Sequence, residues 1–352
     1  MNKSKRLPFN TKPIIQTYSS HSKLLSILST NEEYLPWFHS NYTQLSCKKD
    51  FHSFHGVPLD FFIDIRQGFN YYLNNPCLFI QTVHKEIIDA EVEDIVDFVI
   101  RCLDRDYYLD LYLNEFFVPG RPSYGIEFYV PGVKHLYHDN LIVGYDLSTQ
   151  TFEMLGHNPG FTNTSITFED FRLAYRHCTP ESWHKCMYLY KLSNLRDGYS
   201  SPNSYRFDLE YVKQSLIDYV SSIDISIQYG MLQNRSDDLV FGLQVYDALI
   251  NNLLTGHYWE DIRPLNLLYE HKKCMRLRVE YMYKLGHLNS DYFNNLLPAF
   301  QELETHIETL KNAQMRYILR KNGDTEPVIN GLKQAKQWEE TAICQLIQKL
   351  SY

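Results

Sequence analysis

Apolar positions change their period along this chain. Between about residues 105 and 157 the period is two. In YYLDLYLNEFFV, Leu109, Leu111 and Leu113 share one face, with Tyr108, Asp110 and Tyr112 opposite; that alternation marks a strand. In YGIEFYV, Tyr124, Ile126, Phe128 and Val130 share a face, and NLIVGYD and TFEML follow. The connectors PGRPS, PGVKH and DLSTQ are turn chemistry. Four strands so briefly connected predict an antiparallel meander. Within it, His138 opens a strand antiparallel to the one containing Phe152 and Met154.

On either side the spacing becomes helical. PWFHSNYTQLSCKKDFHSFHG, from residue 36, predicts a helix closed by Gly56. DAEVEDIVDFVIRCLDRD predicts another, with Ile95, Phe98, Val99 and Leu103 on one face. In ITFEDFRLAYRHC, Thr167 is the expected N-cap and Glu169 and Asp170 complement the first turn. The Ser-, Asn-, Gly- and Pro-rich stretch 191–204 reads as a linker. Beyond it every segment reads as helix: one opened by Ser236 and closed by Gly256, one with Pro264 in its first turn and Gly286 at its end, one from Ser290, and a last one over 327–350. Residues from about 205 to 350 are therefore expected to be almost wholly helical, with breaks near Gly256, Gly286 and Gly323. The fold class predicted is α/β (α+β): an N-terminal extension over 1–34, a domain with an antiparallel sheet over 35–190, and an all-helical bundle or cap over 205–352.

Composition narrows the function classes. The formal net charge of −8 over 352 residues argues against a nucleic-acid partner, which requires basic surface. Seven scattered cysteines with no CxxC fit a reducing cytoplasm better than a disulfide framework or zinc knuckle. No signal peptide and no membrane span are read, so a cytoplasmic location is expected. No phosphate-binding glycine loop is found, since RPSYG and PGVKH lack the spacing. His135 and His138 are three apart on a period-two segment and cannot share an ion, so no metal site is assigned there or to His52 and His55. Glu270, His271 and Cys274 read as the mixed face of a packed helix.

The stretch HDNLIVGYD…FEMLGHNPG…ITFEDFRLAY carries a resemblance to papain-like domains. It is similar to the bacteriocin-processing peptidase type and, more closely, to the amino-terminal domain family of butirosin biosynthesis protein H from natural-product gene clusters. The likeness spans roughly residues 35–180. It implies a papain-like fold in which a helix start faces a sheet histidine, and an acyl-transfer or peptidase activity. His138 takes the histidine position and Asn158 that of the orienting acid.

The nucleophile has two registers. In one, the first helix starts near Pro36 and Ser40 or Asn41 fills the nucleophile slot. In the other, Asn41 stands six residues before Cys47, so that Cys47 is the nucleophile and Asn41 polarises the oxyanion. The resemblance implies an acyl or peptidyl carrier protein, or another biosynthetic enzyme, as partner, a small-molecule or peptide substrate, and no bound cofactor. Its rival implications are a catalytically inactive scaffold and a peptidase of a peptide pathway.

Overall fold

The computed structural model describes residues 3–51, 57–62, 75, 77–121, 124–125, 137–157, 160–178, 185–192, 206–226, 238–256, 260–320 and 325–350. The chain divides into two compact units: Met1–Tyr34 with Gly68–Tyr205, and Leu35–Gln67 with Arg206–Tyr352. These bounds differ from the expected ones. The segment 1–34 is part of the sheet unit rather than an extension, and 35–67 belongs with the helices of the carboxyl half.

The first unit is built on an antiparallel seven-stranded sheet. Its strands are β1 (Ser4–Arg6), β4 (Leu78–His84), β5 (Tyr108–Asn114), β6 (Tyr137–Asp146), β7 (Thr151–His157), β8 (Phe161–Thr167) and β9 (Cys186–Leu192). They run in the order β4-β9-β5-β6-β7-β8, and β1 pairs with β6. The hairpin forms as expected: Tyr145 faces Phe152 and Ile142 faces Met154. The meander continues from β7 into β8, a strand hidden because NTSIT carries few apolar residues. Of the expected strand 124–130, Tyr124 and Gly125 form a turn, and 126–130 lie outside the described residues. The start of the expected linker, Lys191 and Leu192, ends β9.

Among the described residues four α-helices accompany this sheet: α1 (Ser19–Leu28), α3 (Lys85–Glu91), α4 (Ile95–Asp104) and α5 (Phe168–Arg176). Thr167 Oγ1 accepts from the Asp170 amide and caps α5, as the sequence predicts. Alternation assigns the faces. Leu109, Ile142, Met154 and Phe152 are in register on one face, and Phe152 packs on Phe168 and Phe171 of α5. Asp110 and Asp139 are on the other, where Lys23 of α1 reaches both. Residues His21–Leu28 of α1 are buried without interruption, the mark of a helix enclosed on all sides.

The second unit contains α2 (Leu35–Asn41), β2 (Leu45–Lys48), β3 (Leu59–Phe61), α6 (Leu209–Val220), β10 (Leu239–Phe241), α7 (Gln244–Leu254), α8 (Arg263–Lys284), α9 (Ser290–Arg320) and α10 (Glu326–Lys349). Pro264 lies in the first turn of α8. Gly256 and Gly286 follow their helices at φ +75° and +80°, the left-handed geometry of a helix stop; Gly323 lies outside the described residues.

Two expected helices are corrected. The one from Pro36 ends at Asn41, and Leu45–Lys48 is a strand whose Leu45 and Cys47 are buried. The one opened by Ser236 contains a strand instead of a first turn: Leu239–Phe241 pairs with Ser46–Lys48. Gly242 separates that strand from α7 at φ +55°, and a Cβ there would sit 2.0 Å from the Tyr219 carbonyl oxygen. Among its described residues the carboxyl half is therefore helical with one inserted strand. Both misreadings share a cause, since β2 and β10 are partners almost two hundred residues apart and neither has enough local alternation to announce itself.

Candidate functional site

His138 stands near the start of β6, opposite Leu113 of β5. Its Nδ1 lies 2.8 Å from Oε1 of Glu115, the residue that follows β5 and opens a 3-10 turn, Glu115–Phe117. The oxygen sits off the N–H axis, so the contact is an ion pair short of an in-line hydrogen bond. Asn114 fixes the turn by accepting from the Phe116 amide through its side chain. The Glu115 side chain is 3% exposed and that of His138 46% exposed, so a buried carboxylate backs an imidazole that reaches solvent. Burial pulls the His138 pKa down, but the adjacent Glu115 carboxylate and the charge of Asp139 outweigh it and leave the value raised. A carboxylate on Nδ1 selects the tautomer whose Nε2 carries the lone pair, the form a general base uses.

Arg121 lies across the same face. One guanidinium nitrogen donates to the His157 carbonyl oxygen, the other to Asn140 Oδ1 at 2.7 Å, and Nε is 3.7 Å from Glu115 Oε1.

Asp139 points to the opposite face and meets α1. Ser19 Oγ donates to its Oδ2 at 2.8 Å, and Lys23 Nζ also binds that oxygen. Lys23 donates as well to both oxygens of Asp110 at 2.6 Å, and Tyr190 OH donates to Asp110 Oδ2 at 3.2 Å. Burial opposes the charge on Lys23, but the two carboxylates raise its pKa. Burial likewise opposes ionisation of Asp139, yet Lys23 and Ser19 hold it down to about 2. Asp110 is pushed up to about 6, because burial and the neighbouring Asp139 outweigh Lys23. His157, on this face, is half-buried; desolvation lowers its pKa, and its Nε2 bonds to the Gln16 carbonyl at 2.8 Å.

The predicted site residues are divided between the two units. Cys47 belongs to the second unit, as does Asn41. Cys47 sits mid-strand in β2 with no exposure, and burial drives its thiol pKa far above the ordinary value; its Sγ donates to the Lys48 carbonyl. The feature that activates a cysteine, a helix start beside a cation, is missing there. Asn41 returns its amide to the Trp37 carbonyl at 2.7 Å, where it closes α2. Asn158 lies outside the described residues, as do His52, His55 and His135. In the sheet unit burial raises Cys77 to about 11 and Cys178 to about 12. The residue opening α1 is a serine, Ser19, and strand alternation turns Asp139, not His138, toward it.

Glu115, Arg121, Ser19 and Lys23 were all missed in the sequence. Asp110 was visible as the one charge on a strand that is otherwise apolar or aromatic up to Asn114, a signal for a buried partner. Among the described residues no group of three or more His, Cys, Asp or Glu is arranged to hold a metal ion, and no helix is long and apolar enough to cross a membrane. An open groove of about 630 Å³ runs along β1, β6, β7 and β8, lined by Arg6, Tyr145, Glu153 and Asn163 among others, and does not include His138. Neither a protein-family model nor a curated protein matches this chain.

Proposed function

We propose that the sheet unit is a papain-like acyl-handling domain that works by general-base chemistry from His138, without an acyl-cysteine. The observation that carries this is the half-exposed His138 ring backed at 2.8 Å by the buried carboxylate of Glu115. That pairing orients an imidazole and stabilises the imidazolium formed when it takes a proton. A helix buried against an antiparallel sheet supports the papain-like reading, with α1 in place of the expected segment 36–56. The substrate would be an acyl or aminoacyl thioester on a carrier protein, and the acceptor an amine. The amine attacks the thioester carbonyl, the C–N bond forms and the C–S bond breaks. His138 takes the amine proton and returns it to the departing thiolate. No bound cofactor enters this scheme.

A second reading is a scaffold of the same fold with no chemistry. The charge network at the start of α1 favours it, because Ser19, Lys23, Asp139 and Asp110 satisfy one another where a nucleophile would stand.

Incubation with an acyl-carrier thioester and an amine tests both. Cys47→Ala is expected to retain transfer, and His138→Ala to lose it by about 10²–10⁴-fold. An acyl mass on the wild type that disappears in Cys47→Ala would restore the covalent route. Equal rates in His138→Ala and wild type would leave the scaffold.

A further inference from the structure

Arg121 is a buried cation on the His138 face. It is 4% exposed, and it is bound to two strands at once: to Asn140 of β6 at 2.7 Å and to the His157 carbonyl of β7. Room for it depends on Gly156. A Cβ on Gly156 would lie 2.5 Å from an Arg121 nitrogen and 2.7 Å from Asn140 Oδ1. Arg121 is also joined to Glu115 through the backbone. The Val118 amide donates to the Glu115 carbonyl at 3.0 Å, and the Arg121 amide to the Val118 carbonyl at 3.3 Å. Two consecutive turns thus run from the carboxylate that backs His138 to the guanidinium anchored on β6 and β7.

We propose that Arg121 is a positioning residue: seated over Gly156 and tied to Asn140 and the His157 carbonyl, it fixes the turn that presents Glu115 to His138 Nδ1. This deepens the general-base reading and rests on it for its catalytic meaning, although the positioning itself can be measured without any substrate. A planar guanidinium is suited to the task, because two of its nitrogens reach two strands while the third remains near Glu115. Lysine could supply the charge but not the fork.

The alternative is that Arg121 is only a neighbouring charge, and the two roles move His138 in opposite directions. A cation near an imidazole disfavours its protonation. If Arg121 acts by charge alone, its removal leaves Glu115 in place and raises the His138 pKa. If it holds the turn, its removal lets Glu115 leave, and the pKa falls.

NMR titration of the His138 ring in the full chain reads this directly. Glu115→Gln supplies the reference for a lost carboxylate. The expected result is that Arg121→Ala lowers the His138 pKa by about one unit or more toward that reference. Arg121→Lys should fall in the same direction. Gly156→Ala, which keeps the charge but takes its space, should do so too, and it remains readable if Arg121→Ala does not fold. A rise, or no change, in Arg121→Ala overturns the proposal, as does an unchanged titration in Gly156→Ala. A lowered titration in a chain that shows no acyl transfer sustains the positioning role while removing the acyl reading.

Discussion

Each unit buries a lysine, and the two lysines live in different company. In the helical unit Lys272 of α8 binds both oxygens of Glu339 of α10 at 2.5 and 2.6 Å. Tyr246 and Tyr219 donate to the same carboxylate, and Lys272 also meets Nδ1 of His271 at 2.9 Å. Lys272, Glu339 and His271 have no exposure. In the sheet unit Lys23 is shared between two carboxylates, Asp110 and Asp139, and the residue before Asp139 is the half-exposed His138. A closed one-to-one pair with every group bonded is a structural fastening. A lysine holding two acids beside a solvent-reaching imidazole leaves a surplus of negative charge, and that is the condition under which an imidazole is kept protonatable. The difference places candidate chemistry in the sheet unit and a clasp in the helical one.

The clasp gives the largest expected effect. Glu339→Ala strands a buried ammonium and removes the acceptor of two buried phenols. Unpairing a buried ion pair costs about 3–5 kcal/mol, so the midpoint of denaturant unfolding should fall steeply. Replacing both partners with apolar side chains, Lys272→Met with Glu339→Leu, should recover much of that loss, because no charge is then left in the interior. A double variant as unstable as Glu339→Ala would show that the pair holds α8 to α10 by more than mutual compensation, and would narrow the contrast with Lys23.

The sheet centre should respond differently. Lys23→Met leaves Asp110 and Asp139 facing each other with no cation, and a loss on the order of 2–4 kcal/mol is expected near neutral pH. Acid should repair it. Without the lysine, burial and mutual repulsion raise the carboxylate pKa, so one acid takes up a proton as the pH falls and the variant gains stability toward pH 4–5. In the wild type the two acids pull in opposite directions: Asp110, pushed up to about 6, favours acid between that value and its ordinary one, and Asp139 resists it. Asp139 is depressed to about 2, so its contribution is present above the ordinary carboxylate value and is lost as pH falls toward 2. Thermal unfolding of the two proteins across this range would show converging stabilities. Parallel curves would mean that the two acids do not share the lysine.

These centres also show what could be read from residues alone. The hairpin was legible because Leu141, Val143, Phe152 and Met154 alternate around a turn, and α5 because Thr167 and its following acids announce a cap. Helix stops at Gly256 and Gly286 were legible for the same local reason. β2 and β10 were not, since a three- or four-residue strand borrows its stability from a distant partner. Of the site, His138 stood out by its position at a strand start. Glu115 lay in the same stretch, but its role depends on β5 and β6 pairing so that Leu113 faces His138. Ser19 and Lys23 lie in SSHSKLLSIL, where a lysine among apolar residues looks like an exposed position. Only the burial of α1 on all sides turns it inward.

The smallest effect sharpens the comparison most, because it isolates His138 from the acids behind it. A histidine whose folded pKa is raised contributes stability that is complete below its unfolded value, about 6.5, and is lost as pH rises through the folded value. Since the ring is half-exposed, the contribution is screened and should stay below about 1 kcal/mol. Glu115→Gln removes its main source. Glu115 also faces Arg121, so the variant carries a penalty at every pH. The part due to His138 is the pH-dependent remainder. The stability difference between wild type and Glu115→Gln should therefore shrink between pH 5.5 and 8.5, measured by denaturant midpoints at constant ionic strength. A difference that stays flat across that range would mean that Glu115 serves Arg121 alone. His138 would then be a strand-end residue without a charged partner, and the sheet unit would hold a second clasp in place of a candidate site.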